Sequence, residues 1–145
     1  MEIKPKIGID NIKFGMTRKE VIEILGEPDR VIIDPNDTND VILEWTDRLL
    51  SLVFYLHHND RFAYLKTKNS NLTYNRKKII NRNVDVVKKE VFGNLVTEWE
   101  VEDFTSFIIY FNENLWITLD VEYRIINGFE LGVTYKDDEE YDWPS

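Results

Sequence analysis

The sequence predicts an α+β protein of two tandem helix-plus-four-stranded antiparallel sheet units, packed as one compact body. Three observations predict it. Residues 14–29, FGMTRKEVIEILGEPD, read as a short capped helix. A looser helical period returns half a chain later, around Asn83–Val91. Each is followed by short β-branched and aromatic runs separated by turn residues, the mark of an antiparallel meander. A single larger sheet with helices on one side is the alternative packing of the same elements.

Residues 1–13 read as an extended, turn-rich lead-in. Thr17 is the expected N-cap, with Glu20 three residues on to complete a capping box and Met16 and Val21 as a hydrophobic staple. Val21, Ile24 and Leu25 form the apolar stripe. Gly26 suits a left-handed C-terminal position, and Pro28 prevents continuation. Strands are then expected at Arg30–Asp34, Val41–Thr46, Leu49–His57 and Phe62–Lys68. The turn-forming run Pro35–Asp40, the pair Asp47-Arg48 and the pair Asn59-Asp60 separate them.

The polar stretch Asn69–Asn75 reads as a linker, which bounds a first unit at 1–68, a linker at 69–75, a second unit at 76–136 and an acidic tail at 137–145. The second unit opens with Arg76–Phe92, where Asn83 is a candidate internal cap, Val84, Val87 and Val91 recur at helical spacing, and Gly93 closes the element. Strands are expected at Leu95–Val101, Phe104–Phe111, Leu115–Ile126 and Phe129–Lys136, with Asn127-Gly128 as the strongest hairpin signal. Tyr141 and Trp143 could tie down the tail. Between the halves, Gly26 falls on Gly93, Trp45 on Tyr110 and Asn59-Asp60 on Asn127-Gly128; what repeats is the order of elements rather than identity.

The chain has 145 residues, with 43% hydrophobic and 13% aromatic content, enough for a packed core. It contains no cysteine, which excludes disulfides and thiolate metal sites. No stretch approaches the roughly 20 apolar residues that span a bilayer, and MEIKPKIGID lacks a secretory apolar run. The expectation is a soluble, cytoplasmic protein with no membrane partner. The net charge of −9 is unevenly placed: residues 61–93 hold nine Lys/Arg against two acids, and residues 94–145 hold two against thirteen. Opposite solvated faces that attract one another would explain this, and so would an acidic surface that steers a basic partner. The overall sign argues against nucleic acid as a partner.

The string Ile12-Lys13-Phe14-Gly15-Met16-Thr17-Arg18-Lys19-Glu20-Val21, followed by Ile24-Leu25-Gly26-Glu27-Pro28-Asp29, resembles the opening of the beta-lactamase inhibitory protein-like fold. The small lipoprotein family of the outer-membrane barrel assembly machinery has a similar helix motif. The resemblance implies tandem helix-plus-sheet units and action by binding other proteins rather than by catalysis. The chain departs from these families in having neither a lipobox cysteine nor the inhibitor's disulfides, and its second unit carries no GMT motif.

The residues themselves supply no catalytic constellation. There is no cysteine nucleophile, no GxSxG elbow around any serine, no P-loop and no HExxH pattern. His57 and His58, the two histidines, would point to opposite faces of a strand and so could not share a metal. No catalytic, cofactor-binding or metal residue is expected. The aromatic residues are mostly core. Strand alternation puts Ile117, Leu119, Val121 and Tyr123 on one face and Trp116, Thr118, Asp120 and Glu122 on the other. It likewise separates Leu95, Thr97, Trp99 and Val101 from Val96, Glu98, Glu100 and Glu102. Trp for desolvated contact and carboxylates for orientation suit a protein-binding sheet. The expected partner-binding residues are therefore Glu98, Glu100, Glu102, Trp116, Asp120 and Glu122, docking a basic protein. This reads as a non-enzymatic binding module, of the kind used by cytoplasmic immunity or inhibitor proteins. A small-ligand carrier with a cavity between helix and sheet is the alternative.

Overall fold

The computed structural model describes residues 1–36 and 38–145. Asp37, within the expected turn Pro35–Asp40, lies outside the described residues. The fold mixes two α-helices with mostly antiparallel sheet among the described residues. The lead-in makes a small sheet of β1 (Ile3–Lys4), β2 (Gly8–Ile9) and β3 (Ile12–Lys13). Helix α1 (Arg18–Leu25) follows, then β4 (Arg30–Ile33), β5 (Val41–Trp45), β6 (Leu50–Tyr55) and β7 (Arg61–Thr67). A two-stranded ribbon, β8 (Thr73–Tyr74) and β9 (Lys77–Lys78), leads to α2 (Val84–Glu90). The chain ends with β10 (Glu100–Asp103), β11 (Ile108–Asn112), β12 (Ile117–Glu122) and β13 (Ile125–Gly132).

One eight-stranded sheet runs β10-β11-β12-β13-β7-β6-β5-β4, so the large sheet is continuous. β13 and β7 meet antiparallel at its centre, Leu131 opposite Leu65 and Glu130 opposite Lys66. One buried cluster joins the inward side chains of this sheet, such as Leu43, Leu52, Leu65, Leu119 and Leu131, to Val21 of α1 and to Val84 and Val87 of α2. The helices thus cover one face.

Helix α1 starts where the capping box requires: Thr17 Oγ1 accepts from the Glu20 N–H at 3.2 Å, and Glu20 Oε1 accepts from the Thr17 N–H at 3.1 Å. Gly26 ends it with φ 86°. The buried stripe is Val21 with Ile22 and Leu25, while Ile24 is exposed. Asn83 caps α2, its side chain accepting from the N–H groups of Asp85 and Val86 at 2.9 and 3.3 Å.

Several expected boundaries are corrected. The second unit's opening stretch is not helical throughout: Lys77–Lys78 form β9 of the ribbon, and the helix begins only at Val84. The expected linker is tied in: Leu72 is fully buried, and Thr73 bonds to Met1 and Glu2. The strand expected at Leu95–Val101 begins only at Glu100. Leu95 and Val96 both turn back onto Phe92, their N–H groups bonding its carbonyl at 3.0 and 2.8 Å. Two adjacent inward residues break the two-residue alternation of a strand. Asn127-Gly128 is not a turn but lies inside β13, beside a bulge in its pairing with β12. The hairpin turn is Tyr123-Arg124, with φ 50° and 66°, the left-handed pair that a tight hairpin needs. His57 and His58 sit in a 3-10 turn rather than a strand. Asp47-Arg48 likewise lies in a 3-10 turn, closed by Leu49 at φ 50°.

Candidate functional site

The sheet face opposite the helices carries a continuous cross-strand row. Glu100, Phe111, Thr118, Glu130, Lys66, Ser51, Glu44 and Arg30 stand opposite one another through all the strands of the large sheet. Glu102, Ile109, Asp120 and Gly128 make a shorter row on the same face. No helix packs over these rows among the described residues.

The two glycines of β13 shape this face. A Cβ on Gly132 would stand 2.3 Å from Cδ1 of Trp116 and 2.8 Å from Cδ2 of Tyr64. The Trp116 ring therefore rests directly against the strand at Gly132. Phe111 packs edge-on to it at 5.1 Å and Tyr135 at 5.5 Å. A Cβ on Gly128 would come within 2.8 Å of Oδ2 of Asp120, so the Asp120 carboxyl rests against the backbone there.

That carboxyl is the most perturbed acid of the face. Partial burial, then the neighbouring Glu130, push Asp120 up to about 7, against the pull of Lys66 and Lys68. Glu130 is held by the Tyr64 hydroxyl, which donates to it at 2.7 Å, and by Lys66 Nζ at 3.8 Å. Burial and the same Glu130 raise the ionisation of Tyr64 well above the usual phenol range. Two grooves flank this centre. One, of about 360 Å³, has Lys66, Lys68, Asp120 and Glu130 on its walls. The other, of about 410 Å³, is lined by Asp34, Asp40, Glu44 and Glu130 with the phenols of Tyr55 and Tyr64.

The tail closes one end of the face. Asp142 donates to the Thr134 carbonyl at 2.7 Å, and Tyr141 stacks on Tyr135 at 4.6 Å. Tyr141 also meets His58 edge-on at 4.9 Å, and Arg61 lies 5.3 Å from the Trp143 ring. His58 is thus a packing group.

Of the residues expected from sequence, Glu100, Glu102, Trp116 and Asp120 share this face. Glu122 continues it to the exposed hairpin end. Glu98 does not join the row; it precedes β10, and its carbonyl accepts from Asn112 Nδ2 at 2.9 Å. Val96, expected beside the acids, is buried. Sequence reasoning missed Tyr64, Lys66, Glu130 and the acids Asp34, Asp40 and Glu44. The alternation of Tyr64 and Lys66 with Leu65 and Thr67 was there to read. The side-by-side placement of β7 and β13, which brings Lys66 to Glu130, was not.

Chemically, the face offers carboxylates for a cation, a proton that exchanges near neutral pH, and flat aromatic area. Among the described residues no cluster of three or more His, Asp or Glu is placed to hold a metal, and no helix is long and apolar enough to cross a membrane. The layer where a carried ligand would sit, between helices and sheet, holds Phe14, Phe54, Phe62, Phe92 and Phe129, all fully buried.

No protein-family model matches the chain, and no curated protein matches it. Two solved structures share its fold. An extracellular protein containing a SCP domain from Bacillus anthracis str. Ames superposes with a TM-score of 0.52 at 14% identity, over 86% of this chain and 44% of that one. The chain therefore spans less than half the length of that protein. A DUF4309 family protein, YjgB, from Bacillus subtilis subsp. subtilis str. 168 superposes with a TM-score of 0.51 at 15% identity, over 86% of this chain and 83% of that one. At such identities the likeness is one of fold.

Proposed function

We propose that this chain is a non-enzymatic protein-binding module that docks a basic partner on its open sheet face. The single observation that carries this reading is the face itself: an uncovered eight-stranded surface with acids spread over four strands around an aromatic centre. Trp116 supplies rigid apolar area, while Glu100, Glu102, Asp120 and Glu122 supply orientation and encounter rate, with Glu98 at the margin. The acidic groove between Glu44 and Glu130 extends the surface toward β4 and suits a guanidinium or ammonium group of the partner. A role like that of a cytoplasmic immunity or inhibitor protein fits a small acidic scaffold that acts by docking, and the cysteine-free chain suits a reducing compartment.

The scaffold reads as two tandem units, as in the beta-lactamase inhibitory protein-like fold that the opening motif resembles. Matching contacts support the duplication. Thr17, the cap of α1, bridges Arg61 at the start of β7; Asn83, the cap of α2, bridges Ile125 at the start of β13. Phe62 exchanges backbone bonds with Gly15 and Met16, and Ile126 does so with Asn81 and Arg82. Leu49 before β6 and Trp116 before β12 are both left-handed, at φ 50° and 54°. The halves join through β7 and β13, which puts the two four-stranded meanders into one surface.

The test is capture of a basic partner on immobilised protein, followed by association kinetics. The expected result is an association rate that falls as salt rises past the point where the screening length is about 10 Å. It should also fall several-fold or more for Glu100→Lys/Glu102→Lys. A rate indifferent to both salt and charge reversal refutes the reading.

A further inference from the structure

The two outer strands of the large sheet are built to opposite rules. β10 reads Glu-Val-Glu-Asp, and every residue of it is exposed. A second copy laid against it would meet acid with acid, which is how edge strands are kept unpaired. β4 reads Arg-Val-Ile-Ile. Val31 is 60% exposed and Ile33 55%, although both lie on the helix side of a sheet. Beside them an apolar groove of about 530 Å³ opens between α1 and β4, with Ile22, Pro28, Val31 and Leu43 in its walls.

The hydrogen-bond phase of β4 limits the pairings it can make. The Asp34 N–H bonds the Asp40 carbonyl at 2.8 Å, and the register sets Ile32 against Ile42 and Arg30 against Glu44. Even-numbered residues therefore bond inward to β5. The backbone groups of Val31 and Ile33 face outward, toward no strand among the described residues. In an antiparallel pairing, outward-facing residues must meet outward-facing residues.

We propose that β4 is a homodimerisation edge: two copies pair antiparallel about a two-fold axis at Ile32. Val31 of each copy then exchanges backbone hydrogen bonds with Ile33 of the other. On the helix side these aliphatic side chains bury one another over the apolar groove. On the open face, Ile32 meets its own counterpart. The same register sets Arg30 opposite Asp34 of the second copy, and Asp34 opposite its Arg30, so both charge pairs are complementary. A two-fold axis one position later, at Ile33, would set Val31 against Pro35, which has no N–H to donate. Each isologous contact extends the sheet without an open-ended repeat. This interface lies at the opposite edge from the acidic strand β10 and stands independently of the binding reading above.

Sedimentation equilibrium of the full chain over ~10 μM to ~1 mM tests it, together with charge variants. Arg30→Glu and Asp34→Lys each place like charges at both pairs, and each should weaken self-association about tenfold. Mixing the two variants restores both pairs in the heterodimer and should recover wild-type association. A folding defect in either variant would not produce that rescue. Independently, Ile32→Cys, the only thiol in such a chain, sits at a non-hydrogen-bonded pair where Cα atoms approach to ~4.5 Å. It should form a disulfide-linked dimer on mild oxidation, whereas Val101→Cys on β10 should not. A monomeric wild type across the whole range overturns the proposal. So does a failure of the mixed variants to associate, and so does equal crosslinking of the two cysteine variants.

Discussion

Replacing Asp120 with Asn isolates the most unusual group on the open face. Its folded carboxyl titrates near 7 against an unfolded value of 3.8, because it is partly buried and faces Glu130. An acid whose folded pKa is raised binds its proton more tightly in the folded state. Its neutral form therefore costs nothing below about 4, and stability falls as pH rises from there to about 7. A shift of that size would cost roughly 4 kcal/mol at full value. The groove admits water, and Lys66 and Lys68 stand nearby, so screening reduces the loss to about 1–2 kcal/mol. Asn keeps the volume and removes the charge. Asp120→Asn should therefore leave stability nearly unchanged at pH 4 and raise it by about 1–2 kcal/mol at pH 8, which is ~2–8 °C in Tm for a chain of this size. Urea melts of both proteins at pH 4, 6 and 8 read it directly. An equal difference at every pH, or a wild type whose stability is flat between pH 4 and 7 once the other acids are accounted for, refutes the account.

Three further substitutions probe the scaffold. Gly132→Ala puts a methyl group into the Trp116 and Tyr64 rings and should cost ~1–3 kcal/mol, with an altered Trp fluorescence maximum in thermal melts. Tyr64→Phe removes the donor to Glu130 and should cost ~1–3 kcal/mol at pH 7, as read by denaturant midpoints. Thr17→Ala and Asn83→Ala each remove the side-chain cap of one helix and should each cost about 1 kcal/mol. Similar losses would match the proposed duplication, in which the two helices are counterparts, whereas a loss from only one would mean that the helices contribute unequally.

Local chemistry was legible in the sequence where it was self-contained. The Thr17–Glu20 capping box, the Gly26 stop, the Asn83 cap and the meander β4 to β7 follow from neighbours within a few residues. What misled was tertiary demand on local signals. Asn127-Gly128 has ideal turn chemistry, yet Gly128 is used for the close approach of Asp120, and Tyr123-Arg124 takes the left-handed turn instead. Leu95 and Val96 look like alternating strand residues, yet both turn back onto the Phe92 carbonyl just past α2. Glu130 stands out only once the pairing of β13 with β7 sets it against Lys66. No pattern within a single strand encodes which strands become neighbours in one sheet.

The uneven charge along the chain acquires a meaning only in this geometry. The basic segment 61–93 is split between two places. Lys66 on β7 and Lys68 just past its end act on Asp120, and Lys66 also pairs with Glu130, so they partly neutralise the centre of the open face. Most of the rest surround α2 and the β8–β9 ribbon: Arg82 pairs with Glu90 at 3.1 Å, Lys77 donates to the Glu90 carbonyl at 2.9 Å, and Lys88 lies 4.7 Å from the Tyr110 ring. The acids of 94–145 instead reach the open face, the β10 edge and the tail hairpin. Of the two expectations from the sequence, the attraction of opposite charges within the molecule has a structural counterpart, and the steering of a basic partner belongs to the proposed function. Opposite charges attract within the molecule at the β7–β13 seam, and what remains is a dipole, acidic on the sheet face and basic around α2. Under the proposed docking of a basic partner, such a charge separation would orient the approaching surface toward the sheet before contact, which acids spread evenly over the molecule would not do.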